Sequence, residues 1–531
     1  MVHAPPLLLV LLTVLGSPPA HAQQSPHPES EVFALKRGGD TNLIDEGARF
    51  RSALVLRNRG KVPLTENGAT LYSNLRRRTD PEGATVPGNM ARIDNVFTSR
   101  DGIDVGSAVV ETQAFRHRTV VADPVPPEAS TTLGRAQAQA AVKTGTRVLA
   151  EHEFARFESK TVGVIANHTA QVDTATHLID AMHRAGVEVG AIFGPEHGLR
   201  GETDAGEAVS DGRDETTGAP VYSLYDDTRS PTPEELDGLD ALVFDIQDVG
   251  ARFYTYITTM GLSMQAAAEA DIPFVVLDRP NPLSGTYVGG FVREPAHRSF
   301  VGKYPIPIAH GMTVGELARM IKGEGWVPGV EAMELEVIEM DGWERSMRWP
   351  ETDLPWVPPS PNLPTFETAL VYAGTCFFEA TPNASEGRGT PRPFTHLGAP
   401  WADGPALADT LNDHDLPGAR VHAAQFTPQP NAGDSAPKFE GTPLQGVRIE
   451  VTDPAAYRPV ATGVHALHAF YRQATRKGRA EDFFASYLTK LAGTERLGKM
   501  LRSGASPEAI IATWHDETEA FRERRTPYLL Y

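Results

Sequence analysis

The sequence predicts an α/β protein in three parts: an all-β, immunoglobulin-like sandwich, a doubly wound α/β unit, and a smaller α+β unit. Three observations predict it. Short alternating runs broken by Gly and Asn-Gly fill residues 30–130. From about residue 160, apolar runs of strand length alternate with helical stretches. After about residue 390 the pattern becomes mixed. At 531 residues the chain has room for two to four domains, and 40% apolar with 22% charged residues is a globular composition. The formal net charge of -19 disfavours nucleic acid and anionic membrane surfaces as partners. A single cysteine, Cys376, excludes intrachain disulfides, Cys-based zinc clusters and iron–sulfur centres within one chain.

Taken in order, the first element is an address. The apolar run Leu7–Leu15, the breaker Gly16-Ser17-Pro18-Pro19 and the ending Ala20-His21-Ala22 describe a secretory signal over residues 1–22. The run is too short to span a bilayer, and no other window is long and apolar enough to do so. An exported protein, periplasmic or secreted, is expected. Residues 23–133 follow as β-structure, with alternation over Arg51–Asn58 and Gly68–Leu75, closed by Pro124, Pro126 and Pro127. Ala136–Ala150 has helical composition. Thr161–Ala166, Val187–Phe193, Ala241–Asp245 and Ile272–Asp278 read as buried strands, with helices such as Thr176–Ala185 and Gly261–Ala270 between them. That alternation implies a mostly parallel sheet covered on both faces. Val371–Phe378 reads as a further apolar run of the same kind. Beyond residue 390, Leu444–Val451 is strand-like, and Ala461–Arg472 and Ala480–Leu491 are helical. No repeat, heptad or low-complexity tract is present.

In such sheets ligands bind beyond the carboxyl ends of the strands. Polar groups cluster there: Glu196 and His197, then Asp245, Asp248, Arg252, Tyr254 and Tyr256, then Asp278, Arg279 and Asn281, and later Glu386 and Arg388. A carboxylate directly after an apolar strand is placed where desolvation raises its pKa and suits it to proton donation. Singly, each has an ordinary explanation. Glu196 serves equally as a cap or salt-bridge partner, and His197 as a structural histidine. The arginines can pair with the acids, and the tyrosines can be packing. Asp245 and Asp248 lack the further oxygen ligands of a cation site. Together they suit a polar substrate such as a sugar. The fingerprints of a P-loop, a dinucleotide site, an α/β-hydrolase and a zincin are absent from the sequence.

The phrases VGVIANHT at Val162, FGPEHGLRG at Phe193, FDIQDVGARFYTYITTM at Phe244, VVLDRPNPLSG at Val275, PWVPPSPNLPT at Pro355, SEGRGTPRPF at Ser385 and the terminal YLLY resemble the exo-β-N-acetylmuramidase family of bacterial cell-wall turnover. The likeness runs from about residue 140 to the end. It departs at Asp226, where the family usually carries Gly, and at Thr381–Ala384. The resemblance implies a Rossmann-like catalytic domain over 134–390, an auxiliary domain over 391–531, and release of N-acetylmuramic acid from the non-reducing end of peptidoglycan fragments. It implies no cofactor and no metal. On that reading Glu196 is the acid and Glu386 or Asp245 the second carboxylate, since glycoside hydrolysis commonly uses a pair. Asn167, His197, Arg252, Tyr254, Tyr256, Asp278, Arg279, Asn281 and Arg388 are the candidate substrate contacts. An arginine among Arg252, Arg279 and Arg388 suits the lactyl carboxylate. Retaining, inverting and substrate-assisted routes stay open. Residues Leu54–Asn74, Met90–Phe97 and Ala122–Glu128 resemble the carbohydrate-binding sandwich of chitobiases and related hexosaminidases. Two other classes fit the residues less fully: a non-catalytic wall-glycan binder, and a nucleotide-sugar glycosyltransferase.

Overall fold

The computed structural model describes residues 141–195, 212–225 and 229–531, and within the first 140 residues the backbone of eight short strands. The chain divides into two compact units, Met1–Ala138 and Gln139–Tyr531. In the first unit, six of the strands form one sheet and Leu64–Glu66 pairs with Ala69–Leu71. The alternating segment at Gly68–Leu75 is two strands, Ala69–Leu71 and Asn74–Arg76, while Arg51–Asn58 lies outside the described residues. Leu11–Thr13, inside the run read as a leader, is a strand paired antiparallel with Val32–Ala34.

The second unit is built on a seven-stranded sheet. Its strands are β1 Thr161–Ala166, β2 Glu188–Gly194, β3 Gly212–Arg213, β4 Pro220–Ser223, β5 Ala241–Asp245, β6 Phe274–Leu277 and β7 Leu335–Ile338, in the spatial order β3-β4-β2-β1-β5-β6-β7. All neighbours run parallel except the short edge pair β3–β4. Every residue of β5 and β6 is buried, which is why these runs are uniformly apolar instead of alternating. One face packs Val162, Val164 and Val243 under helices α1 (Gly145–Glu151) and α2 (Leu178–Arg184). The other packs Ile165, Phe193 and Phe244 under α4 (Tyr256–Glu269) and α5 (Val314–Gly323), with the short α3 (Pro233–Leu236) beside them. Thr232 and Thr313 start α3 and α5 in reciprocal capping boxes with Glu235 and Glu316.

The C-terminal part carries a three-stranded antiparallel sheet of β8 His396–Ala399, β9 Ala419–Phe426 and β10 Leu444–Val451, in the order β8-β10-β9. Helices α6 (Phe366–Thr375), α7 (Gly404–Asn412) and α8 (Pro459–Arg476) cover it, followed by α9 (Tyr487–Ala492), α10 (Arg496–Arg502), α11 (Pro507–Ala512) and α12 (His515–Arg525). Two sequence expectations change here. The run Val371–Phe378 is the end of α6 and a following 3-10 turn, because Thr365 caps it as a helix. Ala480–Leu491 is helical only from Tyr487. Phe483 and Phe484 bury themselves in the core, and Ala485 N–H donates to the Ala380 carbonyl instead of to a helix ladder. Among the described residues, no helix is long and apolar enough to cross a membrane.

Helices α6 and α8 touch through backbone. A Cβ on Gly374 would lie 1.9 Å from the Pro459 carbonyl oxygen, and one on Gly463 2.2 Å from that of Gly374. Neither neighbour is a flexible side chain, so a methyl forces the helices apart. Gly374→Ala and Gly463→Ala should each lower unfolding stability by about 1–3 kcal/mol. The shift would be read as a drop in urea midpoint at constant m-value. An unchanged midpoint would show that the crossing relaxes freely.

Candidate active site

The strand order reverses direction between β1 and β5, so the loops leaving these two strands diverge and open a crevice at their carboxyl ends. Asn167, directly after β1, is fully buried. Its Oδ1 accepts from the Thr169 backbone N–H (3.0 Å) and hydroxyl (2.6 Å), and its Nδ2 donates to Tyr256 Oη (3.0 Å). Tyr256 Oη in turn donates to the Pro359 carbonyl at 3.0 Å. Thr169 Oγ1 accepts from Gln247 N–H at 3.0 Å, which ties the β1 loop to the β5 loop. Asn167 and Tyr256 therefore tie the loop after β1 to the Pro359 segment.

Asp245 ends β5, with no exposed surface. Arg279, just past β6, donates to both of its oxygens, through Nε to Oδ1 and Nη2 to Oδ2 (3.0 Å), and the Thr146 hydroxyl of α1 donates to Oδ2 at 2.7 Å. Beside this pair is a cavity of about 720 Å³, lined among others by Lys143, Arg147, Thr169, Gln247, Arg279 and Trp349. Among the described residues, Gln247 Oε1 is a buried acceptor with no partner, so a donor on a bound molecule would satisfy it.

Asp248 and His310 form a second buried pair, with His310 Nε2 3.9 Å from Asp248 Oδ2. Burial pushes Asp248 up to about 7, against hydrogen bonds from the Gly250 and Val249 backbone. Burial, aided by the charges of Arg525 and Arg252, pushes His310 down to about 3. Between those values both groups are neutral, which removes the cost of charge in a dry site.

Glu386 lies in the loop that joins α6 and its 3-10 turn to β8, and it is 2% exposed. Lys438 Nζ donates to its Oε2 at 2.8 Å, and Arg388 Nε stands 3.7 Å from its Oε1. Lys438 also donates to the Phe378 carbonyl at 2.8 Å, and Arg388 Nη2 to Glu379 Oε1 at 2.7 Å. Gly387 and Gly389 both take positive φ, and a Cβ on either would meet backbone oxygen at 2.7 Å, so this loop needs its glycines. A ladder of rings joins the loop to the crevice. Arg388 lies over Phe394 (5.2 Å), Phe394 is edge-on to Tyr372 (4.8 Å), Tyr372 to Tyr254 (5.9 Å), and Tyr254 to Tyr256 (4.9 Å).

The structure spreads the expected residues over three roles. Arg279 lines the crevice cavity, while Glu386 and Arg388 form a charged loop site. Arg252 is 1% exposed and donates to the carbonyls of Phe291, Ile306 and Leu491, clamping the two halves of the unit together. Asp278 accepts from the Thr313 hydroxyl, Gly315 N–H and Tyr531 hydroxyl, and Asn281 caps its own turn and donates to the Met312 carbonyl. Tyr254 and Tyr256 pack edge to face instead of offering an open ring. Glu196, His197 and Asp226 lie outside the described residues. Sequence reasoning missed Thr146, His310, Glu379 and Lys438. Lys438 sits 52 positions after its partner in an irregular stretch that carries no periodic signal.

Fold and site define an α/β protein with buried acid–base pairs at the carboxyl ends of a parallel sheet. Comparison narrows the class. Sequence models of the exo-β-N-acetylmuramidase NamZ family match residues 162–367 with their N-terminal part and 370–531 with their C-terminal part. The peptidoglycan β-N-acetylmuramidase NamZ of Bacillus subtilis is 42% identical over 397 residues, 73% of this chain and 91% of that protein. Two crystal structures of DUF1343-family proteins from Bacteroides fragilis superpose with TM-scores of 0.68 and 0.62, at 35% and 34% identity. They cover 74% and 73% of this chain and 99% of each of those chains. The chain belongs to the exo-β-N-acetylmuramidase NamZ family.

The raised pKa of Asp248 has a measurable consequence. In the unfolded chain this carboxyl ionises near its ordinary value of 3.8, whereas the fold keeps it protonated up to about 7. The native state therefore holds the extra proton between those limits. The stability it contributes is complete below about pH 4 and is lost as pH rises through 7. Relative to Asp248→Asn, which titrates nothing there, wild-type stability in urea should fall by up to about 1.4 kcal/mol per pH unit across that window. A pH-independent difference between the two proteins would refute the assignment.

Proposed function

We propose that the protein is a peptidoglycan exo-β-N-acetylmuramidase, a glycosidase that releases N-acetylmuramic acid from the non-reducing end of wall-glycan fragments in cell-wall turnover. The observation that carries this is the 42% identity to the Bacillus subtilis enzyme across nearly all of that protein. Counted along the chain, the parallel strands stand 3-2-1-4-5-6 across the sheet, which supports a Rossmann-like reading of the first lobe. The missing phosphate-loop glycines argue against a nucleotide in that crevice.

Hydrolysis of the glycosidic bond needs a proton for the departing oxygen and a negative group opposite it. Glu196 follows two residues after Gly194, the end of β2, and is the proposed proton donor. Glu386, its charge compensated by Lys438 and Arg388, is the proposed second carboxylate, acting on water, on the sugar or by orienting the substrate's acetamide. Asp245 supports this reading in another way: with both oxygens held by Arg279, it fixes the one buried arginine that lines the cavity, which suits the lactyl carboxylate. Residues 23–133 are proposed as an accessory glycan-binding sandwich, and residues 1–22 as an export signal. The leader pattern supports a protein acting outside the cytoplasm.

Purified protein should release free N-acetylmuramic acid from a MurNAc–GlcNAc disaccharide without added nucleotide. Internal cleavage without monosaccharide, or binding without turnover, would sink the reading. Glu196→Gln should lower kcat/KM by about 10²–10⁴-fold on that disaccharide. The loss should be smaller on an activated aryl glycoside, whose leaving oxygen needs little protonation. Equal losses on both substrates with a lowered Tm would make Glu196 scaffold instead. Intact mass of the protein recovered from the native envelope or medium should begin at Gln23. A species beginning at Met1 would show that Leu11–Thr13 is retained.

A further inference from the structure

We propose that His414, His465 and Glu508 form a binding site for a single divalent transition-metal cation of zinc type, apart from the strand-end crevice. The three residues come from three elements: the turn after α7, the middle of α8 and the first turn of α11. One ligating atom from each lies within 4.8 Å of the others. His414 Nδ1 is 3.1 Å from Glu508 Oε1, and the His414 and His465 rings stand 4.5 Å apart at 62°. Zinc holds imidazole nitrogen and carboxylate oxygen at about 2.0–2.2 Å, which in a tetrahedral field separates ligands by about 3.3–3.5 Å. Small side-chain rotations bring the triangle to that size.

His465 points independently to a ligand. It is 7% exposed, and among the described residues its Nδ1 is buried with no hydrogen-bond partner. A buried polar atom left unpaired costs free energy that a ligand would recover. Water can complete the coordination shell. Two imidazoles and one carboxylate favour zinc, cobalt, nickel or copper over magnesium and calcium. A cation there would pin the α7 turn and α11 onto α8, so the site is structural.

Full-length protein stripped by chelator dialysis would be titrated with zinc chloride, and separately with cobalt chloride, after which metal content and visible d–d absorption are read. One cation per chain, tetrahedral cobalt bands, and a Tm raised by zinc but not magnesium are expected. His414→Ala and Glu508→Ala change exposed residues, so their folds should persist by circular dichroism. Each should bind zinc roughly tenfold or more weakly, since even outer partners of a metal site are worth that much. Absence of stoichiometric metal in the wild type would overturn the proposal and leave a hydrogen-bonded His–Glu pair. Equal zinc affinity in the wild type and both variants would overturn it too.

Discussion

The buried pairing of Asp245 with Arg279 is the constraint on which the crevice depends. Isolating either charge in so dry a place would cost several kcal/mol of lost hydration, and removing one partner of such a pair typically costs about 3–5 kcal/mol. The geometry offsets that cost. The guanidinium grips both oxygens, and Thr146 supplies a third donor. Three segments distant in sequence are thereby locked at one point: α1, the end of β5 and the end of β6. Gln247 and Asp248 leave directly from Asp245, and the Asp278–Asn281 turn leaves from Arg279. The positions of the crevice groups follow from that one salt bridge.

A second layer of organisation couples the crevice to the C-terminal lobe. Val249, Ala251 and Phe253, in the loop after β5, are part of the same apolar core as α6, α8 and β10. Arg252 fixes this arrangement by giving its N–H groups to three backbone carbonyls, one of them in α9. The ring ladder from Tyr256 to Phe394 then carries the register to Arg388 and Glu386. Edge-to-face rings hold direction as well as distance, and each contact adds about 0.5–1.5 kcal/mol beyond its buried area. The Glu386 carboxylate in the α6–β8 loop is thus tied to the strand ends through packed rings.

This division explains what the sequence disclosed. Uniformly apolar runs such as ALVFD and FVVL announced the central strands, because a parallel strand buried on both faces can hold little else. Edge strands were less legible. β7 is half-buried throughout, and β9 alternates too irregularly to stand out. As a short apolar run Val371–Phe378 fits a strand or a buried helix, and the Thr365 cap and the close Gly374–Gly463 packing decide for the helix. Of the candidate residues, chemistry-bearing type was readable, but partner was not. Arg252 and Arg279 look alike in the sequence. One spends itself on carbonyls and the other grips a carboxylate at the cavity wall, and that difference depends on which strands become neighbours.

The net charge bears on how an anionic sugar could be held. A chain with 68 acidic and 49 basic residues presents a negative field at long range, which opposes rather than steers a carboxylate-bearing glycan. Screening confines that field to about 8 Å at physiological ionic strength. Recognition on the proposed reading must then come from short-range cations in a partly desolvated wall, where Coulomb interactions are strongest. Lys143, Arg147 and Arg279 line the crevice cavity, and Arg279 is the buried one. Its pairing with Asp245 cancels most of its long-range field but fixes its orientation. The site would therefore select by geometry more than by charge, favouring a carboxylate carried at a set position on the ring over anionic polymers in general.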